Sequence, residues 1–483
     1  MDFNIKKTQI FSGSIAFYML CVLVLLNSSC KKLVEVDPPI TSITGSNVFA
    51  SDPTAIAVLT GVYANMSAAG IVSGDLTSIG FLTGLSSDEL TLYGGIEDTR
   101  LNYYQNRLTA ASDNYSLWNI CYPKIHTVNS VIEGVTNSKS LNAHVKQQLI
   151  GEAKFMRAFC YFYLVNLYGD VPLVLNTDYS INLALPRSSK DVIWNQIILD
   201  LKEAKDLLSN EFLDITLLRP TSERVRPTKW AAIALLSRAY LFTSDWKNAE
   251  IESSSLIGNP VMFHLEGLND IFKNTSGEAI WQLQPVNVGA NTEDARNYVI
   301  NDFGPSNNGG VYISEGLLKS FDPNDQRKRD WIGIKNYEGI DYHFAYKYKL
   351  TTGDQIIEYH TIFRLAEQYL IRSEARAELG DYFGSIDDLD KIRSRAGLPL
   401  LKEINPEIGI SDLRSAVMME RRHELFTEWG HRWLDLKRTN TIDEVMNVTT
   451  PLKGGQWSSN WKLYPIPPFD ILNNNNIVQN PGY

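Results

Sequence analysis

Cysteine is scarce in this chain, with four residues in 483. No two of them have CxxC spacing, and this excludes a zinc site built on thiolates. Cys21 and Cys30 lie near the N-terminus, whereas Cys121 and Cys160 lie in apolar segments whose spacing predicts helices. For this second pair the sequence leaves two alternatives open, a disulfide bond or two buried thiols.

Catalytic signatures are also missing. The chain has no HExxH or GxSxG motif, no glycine-rich phosphate loop and no dinucleotide fingerprint. Asp88 and Glu89 form an acid pair in the loop SSDEL, and paired acids are what glycoside hydrolysis requires. Adjacent acids in a polar loop, however, more commonly cap turns or contact water. The sequence therefore predicts a protein that is not an enzyme and that uses no metal or cofactor.

An excess of positive charge is absent as well. The chain has 45 Lys and Arg against 55 Asp and Glu, a formal net charge of -10. Nucleic acids and anionic membrane surfaces attract basic proteins, so we expect no nucleic-acid partner. Aromatic residues are plentiful by contrast, with 23 Tyr and 10 Trp. Such a composition suits stacking on a flat and weakly charged ligand.

No apolar run reaches the roughly 20 residues that a membrane-spanning helix needs. The run Ile10–Leu26 is shorter and follows two lysines, which is typical of a signal peptide. It ends in LNSSC (26–30), which resembles the lipobox of bacterial lipoproteins; an ordinary cleaved signal is the alternative. We expect a signal peptide over 1–29, a lipidated Cys30 and a flexible tether over 30–46.

Apolar residues at intervals of three and four predict a mainly α-helical chain. The clearest predicted helices are 118–133, 145–168, 192–208, 228–242, 359–379 and 383–396. Two turns, Ala239–Ala249 and Ala375–Ile386, resemble those of tetratricopeptide repeats. They are not in tandem, so the helical array is predicted to be interrupted between them.

The interruption is predicted over residues 259–355, where aromatic residues alternate with Gly, Asn and Asp and the helical period fades. This composition predicts loops and short strands. The insertion separates an N-terminal helical region (47–258) from a C-terminal one (356–483). A second segment with the composition of a loop and exposed aromatic residues covers 71–106, and the proline-rich end of the chain (463–483) is predicted to cross the surface as a strap.

The segment Met418–Arg438 is predicted to be one helix with two different faces. Its apolar face carries Met418, Leu425, Trp429, Trp433 and Leu436, and its polar stripe carries Glu420, Glu424, Glu428, His431 and Asp435. Arg422 falls on the apolar face, where an unpaired charge is costly, so a carboxylate from elsewhere should meet it.

The same segment has Glu-x-x-His spacing at Glu420–His423 and Glu428–His431, as in di-iron bundles. Those bundles take such motifs from two helices, whereas here both lie on one. We therefore favour an ion-pair network in which the acids meet arginines, and the candidate arginines are Arg421, Arg432 and Arg438.

Ligand contacts are predicted in two segments, 88–107 and 281–298, where aromatic residues are mixed with polar ones. Sugar rings stack on aromatic rings and leave their hydroxyls for polar side chains. The candidates are Asp88, Tyr93, Tyr103, Tyr104, Asn106, Trp281 and Tyr298. The alternative for any one of these aromatic residues is packing beneath a loop.

Several stretches together resemble the SusD/RagB family of outer-membrane lipoproteins. They are LNSSC (26–30), GEAKFMRAFCYFYLVNLYGDVPLV (151–174), RLAEQYLIRSEARAELG (364–380), DLDKIRSRAGLP (388–399), MERRHELFTEWGHRWLDLKR (419–438) and LYPIPPFDILNNNNIVQNPGY (463–483). The resemblance covers the mature chain, and the order of these stretches is that of the family.

The resemblance implies a scaffold of tetratricopeptide-like helix pairs and an irregular part that carries the ligand site. It implies a cell-surface lipoprotein of the outer membrane that binds oligosaccharides and delivers them to a SusC-like TonB-dependent transporter. A peptide-binding member of the family, or an interaction scaffold without a small ligand, is the alternative. The matching motifs are scaffold motifs, so the resemblance assigns no binding residue.

Overall fold

The computed structural model describes residues 45–68, 70–71, 76–94, 99–111, 117–306, 310–353 and 355–483. The predicted signal peptide, Cys30 and most of the predicted tether lie outside the described residues. The chain divides into two units, Met1–Val48 and Phe49–Tyr483. The first contributes one described helix, α1 (Gly45–Val48); everything below concerns the second.

Helices account for most of the region before residue 259. They are α2 (Asp52–Ala68), α3 (Ile79–Ser86), α4 (Thr99–Tyr104), α5 (Leu117–Asn137), α6 (Ala143–Tyr168), α7 (Tyr179–Asn182), α8 (Lys190–Leu207), α9 (Lys229–Phe242) and α10 (Trp246–Ile257). The mainly helical fold is confirmed, and this region has only short strands among its described residues, β1 (Leu90–Leu92), β2 (Val171–Pro172) and β3 (Arg187–Ser188). One expectation is wrong: the segment 71–106 contains the helices α3 and α4, and α3 is buried along its whole length.

The C-terminal region is also helical. After the insertion it contains α14 (Leu365–Leu379), α15 (Tyr382–Arg395), α16 (Leu401–Ile404), α17 (Ile410–Leu425), α18 (His431–Arg438), α19 (Ile442–Leu452) and α20 (Pro468–Asn473). The predicted helix 359–379 begins late, because residues 360–364 form a strand instead.

Both turns with tetratricopeptide character join antiparallel helix pairs, α9 with α10 and α14 with α15. An aspartate caps the second helix of each pair. Asp245 accepts a hydrogen bond from the Asn248 amide at 3.3 Å, and Asp381 accepts one from the Gly384 amide at 3.0 Å. These caps satisfy amides that a helix N-terminus otherwise leaves unpaired.

The insertion separates the helix pairs along the chain, but the pairs still pack against one another in the structure. The predicted interruption of the helical array is therefore one of sequence and not of space. Helix α10 precedes the insertion and packs directly on α14, which follows it. Arg376 of α14 binds Glu250 of α10 at 2.9 Å. Arg238 of α9 makes a bidentate bond to Glu367 of α14, with both distances 2.6 Å. The helix pairs therefore form one continuous stack.

Short strands and loops make up the insertion, as predicted. The strands are β4 (Ala279–Leu283), β5 (Val311–Ile313), β6 (Ile332–Tyr337), β7 (Ile340–Ala345) and, just beyond it, β8 (His360–Arg364); three short helices accompany them, α11 (Glu293–Tyr298), α12 (Glu315–Ser320) and α13 (Gln326–Asp330). Strand β4 pairs with β8 and β6 with β7, both antiparallel. Strand β5 pairs with β1 (Leu90–Leu92), which lies far earlier in the chain.

The segment Met418–Arg438 is not one helix, which corrects the prediction. Helix α17 ends at Leu425 and α18 starts at His431. Between them Thr427, Trp429 and Gly430 have φ angles of 59°, 52° and 73°. A left-handed backbone ends an α-helix, so the side chains on the two sides of the break do not share one helical face.

The C-terminal segment that the sequence predicts as a strap (463–483) contains the short helix α20 and is bound to the N-terminal helical region. The buried Asn480 donates to the carbonyls of Tyr168 and Tyr464 at 2.9 and 2.8 Å. Its side-chain oxygen accepts a bond from Arg187 at 2.6 Å.

Among the described residues, no helix is both long and apolar enough to cross a membrane.

A tyrosine-lined surface as the candidate ligand site

Tyrosine rings gather where two strand pairs meet. Tyr93 follows β1, and its amide donates to the carbonyl of Gly310, so that it continues the β1–β5 ladder. Tyr312 lies in the middle of β5, while Tyr337 and Tyr342 lie near the turn of the β6–β7 hairpin. Because β5 packs on β7, the two strand pairs bring these rings together.

The rings contact one another edge to face. The centroids of Tyr93 and Tyr342 are 5.5 Å apart with planes at 86°, and those of Tyr312 and Tyr342 are 5.3 Å apart with planes at 81°. Tyr342 is nearly buried, whereas Tyr93, Tyr312 and Tyr337 remain partly exposed. We call Tyr93, Tyr312, Tyr337 and Tyr342 the tyrosine surface; it offers apolar ring faces beside phenol hydroxyls.

Two glycines hold aromatic rings at this surface. A Cβ atom on Gly304 would lie 2.5 Å from the ring of Tyr337, and one on Gly333 would lie 2.3 Å from the ring of Phe344. Both rings therefore rest directly on backbone. Gly304 also has a φ of 79°, which favours glycine at that position.

Two of the seven residues predicted from the sequence are placed at or beside this surface. Tyr93 belongs to it. Tyr104 lies next to Tyr312. Burial, and then the charge interaction with Tyr312, raise the pKa of the Tyr104 phenol. Both are partly exposed, so their role as ligand contacts stays a prediction.

Three predicted aromatic contacts are core residues, and their assignment as ligand contacts is wrong. Trp281 has no exposed surface and packs against Tyr63, Phe155 and Phe363, with centroids 5.9, 5.1 and 6.1 Å away. Tyr103 is fully buried and Tyr298 is 4% exposed. A ring without accessible surface offers no face to a ligand.

The two predicted polar contacts are buried and occupied by other residues, so their assignment is corrected as well. Asp88 accepts hydrogen bonds from Arg432 at 2.7 and 2.9 Å and from Arg422 at 2.7 Å. The amide of Asn106 donates to the carbonyl of Ser86 at 3.0 Å and accepts from Thr450 at 2.9 Å. The Asp88 contact confirms the prediction that a distant carboxylate meets Arg422.

Sequence reasoning missed Tyr312, Tyr337 and Tyr342. A signal for two of them exists in the stretch YEGIDY (337–342), where Glu-Gly between alternating residues indicates a tight hairpin. Residues at both ends of such a hairpin lie on one face, so the two tyrosines could have been placed together. The pairing of β5 with β1 carries no comparable local signal.

The acidic residues of the segment Met418–Arg438 form a buried ion-pair network with arginines, as predicted, although some of these arginines are not the predicted ones. Glu424 meets Arg364, Arg395 and Arg327, and these guanidinium groups hold its pKa well below the usual range despite its burial. Asp435 meets Arg421 at 2.8 Å and Arg438 at 2.7 Å. These ion pairs connect α17 with β8, α13, α15 and α18.

The histidines of this segment lie apart from one another. Burial, followed by Arg327 and Arg422, lowers the pKa of His423 to about 3, and its ring stacks on Phe321 with centroids 4.3 Å apart. Burial also lowers the pKa of His431 well below its usual range. In the part of the chain that the structure describes, no group of three His, Cys, Asp or Glu side chains is placed to hold a metal.

Cys121 and Cys160 are buried free thiols. A hydrogen bond with Cys160, followed by burial, raises the pKa of Cys121 well above its usual value. Of the two alternatives that the sequence left open, the structure contains the pair of thiols. Both belong to the packed contact between α5 and α6.

A cavity of about 500 Å³ lies elsewhere, between α2 and the hairpin formed by residues 212–221. Tyr63, Ile215 and Tyr359 contribute to its walls. Arg226 lines it too, but this guanidinium already makes two bonds to Glu152 at 3.1 and 2.7 Å. The tyrosine surface presents more aromatic rings than this cavity, so it is the better candidate for a ligand made of sugar rings.

Comparison with known proteins agrees with this architecture. A family model described as starch-binding and associating with the outer membrane matches residues 89–241, and the SusD family model matches residues 306–483. The SusD-like protein P2 of Formosa agariphila is 25% identical, and the match covers 96% of this chain and 98% of that protein. The starch-binding protein SusD of Bacteroides thetaiotaomicron is 29% identical over 133 residues, which is 25% of this chain and 21% of that protein.

Solved structures have the same fold. A SusD superfamily protein from Bacteroides vulgatus has a TM-score of 0.74 at 21% identity, covering 90% of this chain and 100% of that one. Surface glycan-binding protein A from Bacteroides fluxus has a TM-score of 0.71 at 20% identity, covering 89% of this chain and 99% of that one.

The stacked helix pairs and the aromatic surface beside them define a helical-repeat protein with a candidate ligand surface outside the stack. Two family models match most of its length, and a relative matches nearly all of it. The chain belongs to the SusD/RagB family.

Proposed function

We propose that this protein is a cell-surface lipoprotein that binds oligosaccharides on the tyrosine surface and delivers them to a SusC-like TonB-dependent transporter. Its anchor is the lipidated Cys30, and it performs no catalysis. The family membership supports the glycan ligand, since one relative is named a starch-binding protein and one structural neighbour a surface glycan-binding protein.

The tyrosine surface is the observation that carries this proposal. Three partly exposed tyrosines and one nearly buried tyrosine lie side by side where the β1–β5 and β6–β7 strand pairs meet. Sugar rings stack on such faces, and phenol hydroxyls can exchange hydrogen bonds with sugar hydroxyls. Strands hold the rings more rigidly than loops do, which reduces the entropy lost on binding.

Isothermal titration against a panel of plant and microbial oligosaccharides tests the proposal. We expect at least one glycan to bind, and we expect Tyr312→Ala or Tyr337→Ala to weaken its affinity about 5- to 100-fold, in the range of one to three kcal/mol per lost stacking ring. Both residues are partly exposed, so the melting temperature should change little.

Tyr179→Ala is the matched control, because this tyrosine is 76% exposed and lies outside the tyrosine surface. Its affinity should equal that of the wild type. Ile215→Asp places a charge at the cavity of about 500 Å³; loss of binding in this variant, with normal binding in Tyr337→Ala, would move the site to that cavity. Binding to peptides but to no glycan would favour the peptide-binding alternative.

Delivery to a transporter has a separate test. The protein should copurify from outer membranes with a TonB-dependent transporter, and Cys30→Ala should release it from the membrane. If uptake of the bound glycan is unaffected when Tyr312 and Tyr337 are both replaced by Ala, the protein is an interaction scaffold and not a glycan carrier.

A further inference from the structure

One lysine lies on the same face as the tyrosine surface. In the register of β6 with β7, Lys335 is directly opposite Tyr342, and opposite residues of an antiparallel pair project from the same side. The ammonium group of Lys335 is bound by the carboxylate of Asp302. The lysine side chain is 28% exposed and that of Asp302 is 92% exposed. The charge of Lys335 is thus already neutralised by Asp302, and the side chain of Asp302 faces the solvent.

A second carboxylate lies at the tip of the same hairpin. Glu338 raises the pKa of Tyr337 by its charge and by a hydrogen bond to the phenol. It also contributes, after burial and Tyr93, to raising the pKa of Tyr342. Asp302 and Glu338 therefore outnumber Lys335, and the face carries a net negative charge.

A second lysine, Lys349, lies farther along the chain. Its ammonium group lies 5.3 Å from the ring centroid of Tyr346 and is bound by the side-chain oxygen of Asn269. The four strands that form the tyrosine surface, β1, β5, β6 and β7, contain no arginine, the residue whose guanidinium fork best recognises carboxylates and sulfates.

We propose that the tyrosine surface selects uncharged oligosaccharides against uronate-rich and sulfated ones, and that Asp302 sets this selection by occupying Lys335. The inference rests on the proposed function, because it names the class of glycan that the same surface binds. An anionic sugar placed on the rings would meet the Asp302 and Glu338 carboxylates, and it would find the ammonium group of Lys335 already paired. A neutral sugar has no such repulsion.

Matched hexasaccharides test the selection: galactose against galacturonic acid, mannose against mannuronic acid, and glucose against sulfated glucose. Titrations at low and at physiological salt concentration measure each pair, because surface electrostatics weaken as salt increases. We expect neutral members to bind and each anionic counterpart to bind at least fivefold more weakly, with the difference narrowing at high salt.

Asp302→Asn tests the assigned residue. It frees Lys335 and removes one negative charge, so the ratio of anionic to neutral affinity should rise about two- to fivefold, as one exposed ion pair permits. Asp206→Asn makes the same change of charge on the exposed face of α8 and should alter neither affinity. Equal melting temperatures for both variants exclude an effect of folding.

The outcomes separate this inference from the proposed function. An anionic hexasaccharide that binds as tightly as its neutral counterpart overturns the selection and leaves glycan binding intact. Equal responses of Asp302→Asn and Asp206→Asn overturn the role of Asp302. If no glycan of either kind binds, the proposed function fails, and this inference fails with it.

Discussion

Trp281 illustrates how far the burial of a single residue decides its role. Its indole donates to the carbonyl of Val225 at 3.2 Å, and its ring contacts four aromatic side chains of the core. Its neighbours come from α2, α6 and β8, which are distant in the sequence. The composition of the sequence around residue 281 could not reveal these contacts, because they join residues that only the tertiary fold brings together.

We expect Trp281→Ala to lower the free energy of unfolding by about 3–5 kcal/mol, since it leaves a large cavity in a packed aromatic cluster. Denaturant titration measures this loss. Glycan affinity of the protein that remains folded should match the wild type. A variant with normal stability and weakened binding would return Trp281 to the ligand site.

Glu89 is a buried carboxyl beside Asp88. Burial, and then the Asp88 carboxylate, raise the pKa of Glu89 to about 7, whereas Arg432, the Thr427 amide and Lys347 act in the opposite direction. An unfolded glutamate releases its proton near pH 4.3. Between these two values the folded protein holds a proton that the unfolded chain has lost.

The free energy of unfolding should therefore fall as pH rises from about 4.5 to 7, by roughly 2–4 kcal/mol from this group alone. Glu89→Gln removes the titration, so the difference between wild type and variant isolates it from other groups. Urea titrations at pH 5 and pH 7.5 measure it. A constant difference at the two pH values would contradict the assignment.

At the scale of elements, the helices were the most predictable features. The predicted helices 118–133 and 145–168 are found as Leu117–Asn137 and Ala143–Tyr168. Buried residues recur at intervals of three and four along the first, whereas the second is buried on all sides over most of its length. The break between α17 and α18 was not predictable in the same way. Apolar and charged residues keep a helical spacing across the break. Of the three residues with positive φ there, only Gly430 is of a type that signals such a turn.

Gly430 is the tightest point of that break. A Cβ atom there would lie 2.7 Å from the hydroxyl oxygen of Thr83 in α3, and the residue has a φ of 73°. We expect Gly430→Ala to destabilise the fold by about 2–4 kcal/mol, combining backbone strain with the clash. Thermal unfolding measures the change.

Gly380→Ala is the matched control, since Gly380 has a φ of 86° but no atom within 4 Å of the added methyl group. This variant should show the backbone strain alone, about 1 kcal/mol. Equal losses in the two variants would mean that the contact with Thr83 adds nothing.

At the scale of the molecule, the strap joins the end of the chain to the N-terminal helices. Asn480 makes three hydrogen bonds and is 2% exposed. The sequence predicts a strap from its prolines and asparagines, but it does not indicate where the strap is attached, because Arg187 and Tyr168 lie about three hundred positions earlier.

We expect Asn480→Ala to lower the free energy of unfolding by about 1–3 kcal/mol, because buried partners lose their hydrogen bonds. Asn475→Ala changes an exposed asparagine of the same strap and should have no effect. Chemical unfolding followed by circular dichroism measures both. A neutral Asn480→Ala would mean that the strap is not fastened at this residue.

The direct packing of α10 on α14 has a consequence for how such proteins diversify. The chain leaves the helical stack at the end of one helix and returns close to it, yet the residues between are bound to the stack. Trp281 packs on Tyr63 and Phe155, and Arg327 binds Glu424 of α17 at 3.0 Å. Two of the four residues of the tyrosine surface lie on a single hairpin within this segment. A graft of residues 259–359 from a relative therefore has to keep these core contacts if the scaffold is to stay folded while the ligand surface changes.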